Sequence, residues 1–121
     1  MNKYEKLFKE IYEATKDGKI VWSQIDRRSH SSIIFNPRFV FRLYEAEFER
    51  SENIFTLIIV EKKYDDPDQD FEIERYDPEL LILSQGELIT TLNTSVINSR
   101  DFIRLVEIVE LKNDKAKKLF E

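Results

Sequence analysis

Residues 39–64 constrain the fold of this chain more than any other stretch. Phe-Val-Phe-Arg-Leu-Tyr-Glu-Ala-Glu-Phe, from Phe39, and Ile-Phe-Thr-Leu-Ile-Ile-Val, from Ile54, are separated by a short polar break. Both are dense in aromatic and β-branched residues. They predict two long neighbouring strands of an antiparallel sheet, with Ser51, Glu52 and Asn53 as the hairpin turn. In the second strand Ile54, Ile58 and Val60 take one side and Phe55, Leu57 and Ile59 the other. A sheet with one wet face would alternate apolar with polar, so two apolar faces demand an explanation. In the first strand Phe39, Phe41 and Leu43 give way to Glu45, Glu47 and Glu49, while Tyr44, Ala46 and Phe48 become the apolar set. That phase change predicts a bulge near residues 43–45, or a strand whose two ends are covered on different faces.

Around this hairpin the chain reads as α+β. Tyr4, Leu7, Phe8, Ile11 and Ala14 or Thr15 recur at helical spacing, so a helix is predicted over residues 2–17, with Asn2 as its cap and Gly18 ending it. Residues 19–25 follow as a short strand, with Trp22 folded back on the helix. Residues 26–37 form a polar loop in which Ile33, Ile34 and Phe35 pair briefly. Phe71 to Tyr76 alternates as a further strand, which Asp77-Pro78 breaks. The runs 80–83 and 88–92 then flank a hairpin with Gly86 at its tightest point. Asn98 or Ser99 caps a last helix whose stripe is Phe102, Leu105, Val106 and Val109. The expectation is a single domain over residues 1–121: an N-terminal helix, a five- to six-stranded, mostly antiparallel meander, and a C-terminal helix.

Composition narrows the function classes. The 121 residues carry 24 acids against 19 Lys and Arg, a net charge of −5, which argues against non-specific affinity for nucleic acid or anionic lipid and favours basic partners. There is no cysteine, so disulfides, thiolate metal sites and cysteine catalysis are excluded. No apolar run approaches the ~20 residues that span a bilayer, and the opening residues do not resemble a signal peptide. These features set the expectation of a cytoplasmic protein.

Leu7-Phe8…Ile11…Thr15-Lys16-Asp17-Gly18-Lys19-Ile20-Val21-Trp22, the 80–88 hairpin and the Phe102, Leu105, Val109 helix resemble a group of small bacterial and phage proteins of unknown function. There a helix runs through Thr-x-x-Gly-Lys-Ile-x-Trp into an antiparallel meander and a closing helix. The resemblance implies this fold and a setting among mobile elements and their defence neighbourhoods. It carries no catalytic residue.

Candidate chemistry is thin. His30 stands among Ser29, Ser31 and Ser32, but neighbours in sequence do not supply the geometry of a nucleophile pair, and no nucleophile-elbow motif is present. Asp65, Asp66, Asp68 and Asp70 suggest a hard-cation loop, yet counting from Asp65 or Asp66 puts neither Gly at position six nor Glu at position twelve. Arg27, Arg28, Arg38 and Arg42 near Phe39, Phe41 and Tyr44 lack the spacing of a base-stacking sheet. The expectation is therefore no catalysis, no metal and no cofactor.

The doubled apolar faces carry two readings at this stage. Either one face docks a protein partner or a second copy, or the chain covers both faces itself. On the first reading Phe39 and Phe41 are anchors, and Glu45, Glu47, Asp65, Asp66, Asp68 and Asp70 face a basic partner. The alternative function is a small-molecule or nucleotide-binding domain with a pocket between sheet and helices, lined by Arg42, Tyr44 and Arg75.

Overall fold

A computed structural model of the chain describes residues 2–26, 40–65, 74–113 and 118–119. In chain order these form α1 (Lys3–Lys16), β1 (Ser23–Ile25), β2 (Val40–Arg50), β3 (Asn53–Asp65), β4 (Glu74–Ser84), β5 (Glu87–Leu92) and α2 (Ser99–Lys112). The strands make one antiparallel sheet in the order β1-β2-β3-β4-β5, an α+β meander between two helices.

The helix ends follow from their caps. Asn2 Oδ1 accepts from the Glu5 N–H at 2.8 Å, and Asn98 Oδ1 accepts from Arg100 at 2.9 Å, satisfying amides that a first turn otherwise leaves open. Gly18 leaves α1 with φ +79, where a Cβ would be strained. Phe8 and Ile11 of α1 pack with Phe102, Leu105, Val106 and Val109 of α2 against Tyr44, Ala46, Leu57, Ile59, Leu80 and Ile82. Trp22 closes this layer, its Nε1 donating to Thr15 Oγ1 at 3.0 Å. The Phe8 and Phe102 rings lie 5.3 Å apart, and Lys112 Nζ donates to the Lys16 carbonyl at 2.7 Å, so the two helices run in the same direction. A cation on the last carbonyls of α1 also complements its dipole.

The opposite face of the sheet is closed as well. Leu43, Ile58, Val60, Leu81 and Leu83 form a second buried cluster, none more than 6 % exposed, with Ile25 packed against it. No residue of either helix belongs to this cluster. Of the two readings of the doubled apolar faces, coverage within one chain therefore holds for these five side chains.

Two details differ from expectation. The register shift in β2 lies between Val40 and Arg42, not at residues 43–45. The phase change after Leu43 instead marks different cover on the two faces, since Leu43 is buried in the second cluster and Ala46 in the first. Asp77-Pro78 does not break a strand: Pro78 sits inside β4, paired with Glu61. Because β5 reaches only to the Leu80↔Leu92 pair, β4 at Pro78 has a neighbour on one side alone, and a residue without an N–H is tolerated there. This merges two expected strands and leaves five among the described residues. Among the described residues no helix is long and apolar enough to cross a membrane.

Candidate functional site

Strand alternation and hairpin register bring together two groups of charged side chains. The first is internal. Arg42 and Glu61 are cross-strand neighbours on the helix side of the sheet, and Arg42 Nε donates to Glu61 Oε2 at 2.7 Å. Its other arm, Nη2, donates to Glu110 Oε1 at 2.6 Å, tying the last turn of α2 to β2. Tyr44, buried beside them, completes the cluster.

One guanidinium thus serves two carboxylates, and Glu61 is 5 % exposed. Burial pushes the Glu61 carboxyl up to about 7; a hydrogen bond with the Glu110 carboxyl adds to the rise and Arg42 opposes it. Burial, and then the charge of Glu61, drives the Tyr44 hydroxyl up as well. Desolvation on its own would lower Arg42, but the charges around it, Glu61 foremost, hold it above its usual value. Chemically this is a brace that retains a proton near neutrality. Arg42 is engaged on both arms and the Tyr44 ring is buried in the helix-side core, so among the described residues both serve to join β2, β3 and α2.

The second group lies on the opposite side of the sheet, at the end that carries the β2–β3 and β4–β5 turns. Glu45, Glu47 and Glu49 point from that face in a row, opposite Ile58, Thr56 and Ile54 of β3. Ile58 belongs to the closed cluster, but the row leaves it towards the turns: Glu47 and Glu49 are exposed, and Ile54 is 62 % exposed. One row of pairs, Thr56↔Leu83↔Leu88, carries the same face across to β5, where Leu88 is 48 % exposed. The nearest strand cation, Arg50, alternates to the other side and bonds Glu10 of α1 at 3.0 Å. Glu47, Glu49 and Ile54 therefore share one open surface, while Leu83, 2 % exposed, separates it from Leu88.

Of the residues expected at a docking site, Glu45 and Glu47 are in this surface. Asp65 is not in a loop; it ends β3, paired with Glu74. Phe41 lies in β2 at the register shift. Phe39, Asp66, Asp68, Asp70, His30 and the 33–35 segment fall outside the described residues. Glu49, Ile54 and Leu88 were not among the expected residues. The parity of β2 signals the first, and the even face of β3 the second. Among the described residues no group of three or more His, Asp or Glu gathers as a metal site.

A groove of about 250 Å³ runs between the two helices rather than between helices and sheet; Glu5, Tyr12 and Lys9 of α1 and Asp101 and Arg104 of α2 contribute to its walls. In comparisons with known proteins, no family model, curated protein or solved structure matches the chain.

Proposed function

We propose that this protein is a small acidic interaction module that works by covering the surface of a basic protein partner and not by catalysis. The observation that supports this reading is the turn end of the second sheet face, where Glu47 and Glu49 stand beside exposed Ile54. The carboxylates steer and orient a basic partner, and Ile54 supplies an apolar contact worth roughly 1.5–3 kcal/mol when fully buried. A second copy of the chain is a poorer occupant, because it brings the same acidic row and the same net charge of −5. The likeness to small phage and bacterial proteins suggests the role of an inhibitor, immunity or counter-defence factor of a mobile element, acting in the cytoplasm.

The reading as a small-molecule or nucleotide-binding domain has narrower support, the groove between the helices. Glu5 and Asp101 share that groove with Lys9 and Arg104, which disfavours a polyphosphate.

The test is copurification from the native host with the wild-type chain and with Glu47→Lys/Glu49→Lys/Ile54→Ser. All three positions are exposed, so the variant keeps its fold, checked by circular dichroism and thermal melting. A partner recovered with the wild type should fall at least tenfold with the variant. Equal recovery from both contradicts the assignment.

A further inference from the structure

Among the described residues, only strand β1 pairs with the outer edge of β2, and it covers only part of it. Its ladder ends at the Ser23↔Glu45 pair, whereas β2 continues to Arg50. The turn determines which backbone groups remain. Ser51 and Glu52 both have positive φ, 54° and 66°, the signature of a two-residue hairpin turn closed by the Arg50↔Asn53 pair. In such a hairpin the closing pair bonds inward and alternate pairs follow. Arg50, Phe48 and Ala46 therefore bond to β3, while Glu47 and Glu49 turn their N–H and C=O groups to the outer edge.

The chain ahead of β1 is committed elsewhere. The N–H groups of Lys19 and Ile20 donate to the Ala14 carbonyl at 2.8 and 3.1 Å, and the Ile20 and Trp22 side chains are sunk in the helix-side core. Between this lead-in and β2 lies an open depression of about 490 Å³, floored by Ala46 and flanked by Lys19, Val21, Ser23, Glu45 and Glu47. A strand laid along this edge would have Glu45, Glu47 and Glu49 beside it on one face. On the other it would meet Ala46 and half-buried Phe48.

We propose that residues 46–50 of β2 take an extended segment of the partner protein, added to the sheet in line with β1, with basic side chains at alternate positions and apolar ones between. Backbone pairing supplies register, and the Glu row selects the charge pattern. This deepens the assignment of the acidic face and rests on it.

The experiment follows amide hydrogen exchange by NMR in the full chain, with a synthetic Lys-Val-Lys-Val-Lys-Val-Lys-Val peptide and the same peptide N-methylated along its backbone. The plain peptide should slow exchange at Glu47 and Glu49 at least tenfold. The N-methylated one, equal in charge but unable to donate, should not. Equal effects of the two peptides, or protection only at other residues, overturn strand pairing while leaving an acidic docking face. No binding of either peptide also overturns it, and does so without bearing on the copurification result.

Discussion

Replacing Ile58 by alanine should destabilise the protein by about 3 kcal/mol, within the 2–5 kcal/mol that buried Ile-to-Ala changes cost. Ile58 lies on the sheet face away from both helices, where a meander with one wet side would tolerate the change. Here it is fully buried among Leu43, Val60, Leu81 and Leu83, so the substitution removes packed methylenes and leaves a cavity. Ile54→Ala, four residues away on the same face but 62 % exposed, should change stability by no more than about 0.5 kcal/mol. Urea denaturation at constant m-value separates the two positions. A domain of this size holds roughly 5–15 kcal/mol in all, so the first change consumes a large fraction of it. If Ile58→Ala is as harmless as Ile54→Ala, the second cluster is not core.

The second large effect is a pH dependence written by Glu61. Its carboxyl titrates near 7 in the folded chain against 4.5 in the unfolded one, so between these values the folded state holds a proton that the unfolded state has lost. A carboxyl raised on folding stabilises most when protonated in both states, below about pH 4.5. That contribution declines as pH rises and is gone above about 7. The size follows from the shift and is on the order of 3 kcal/mol. Glu61→Gln, a neutral isostere that leaves the Arg42–Glu110 pair in place, should remove this slope. Its stability relative to wild type should rise steadily from pH 5 to pH 8, the other carboxylates cancelling in the difference. Arg42→Met should show the opposite trend. It leaves Glu61 and Glu110 without their shared cation, a loss that is small while Glu61 is protonated and grows as Glu61 ionises. Thermal melts of the three proteins at four pH values supply the comparison. Parallel curves for wild type and Glu61→Gln would show that Glu61 does not hold the proton.

Much of this architecture is legible in the chain because it is local. The stripe Phe8–Ile11–Thr15, the Asn2 cap, the Gly18 exit and the folding of Trp22 onto α1 are settled within twenty residues of one another. The Arg42↔Glu61 pairing is less so: the expected turn over Ser51, Glu52 and Asn53 slips the register by one, whereas the positive φ of Ser51 and Glu52 leaves Asn53 in β3, paired with Arg50. Both residues continue apolar faces, Tyr44–Ala46–Phe48 and Leu57–Ile59, and opposite charges on two buried faces imply a pair. Glu110, 68 residues from Arg42, depends on how α2 lies on the sheet and leaves no local trace.

Pro78 misleads for a related reason. Proline ends a central strand but not the one-sided stretch of a longer one, and the reach of β5 is a tertiary fact. The closure of the second face is another. The pattern of Ile58, Val60, Leu81 and Leu83 says that something must cover them, yet a partner and the chain itself satisfy it equally. The acidic row was visible by parity. Its position beside exposed Ile54, at the end of the face that the second cluster leaves open, was not.

The proposal that this end of the sheet is the working surface is tested most directly by placing a photo-crosslinking benzoylphenylalanine at position 54, and in a separate protein at position 103 on the outer side of α2, in the native host. Both sites are more than half exposed, so reactivity towards bulk protein is matched. The account predicts one discrete adduct with a single basic protein from position 54 and none from position 103. Absence of an adduct at 54, or the same products from both positions, would contradict it.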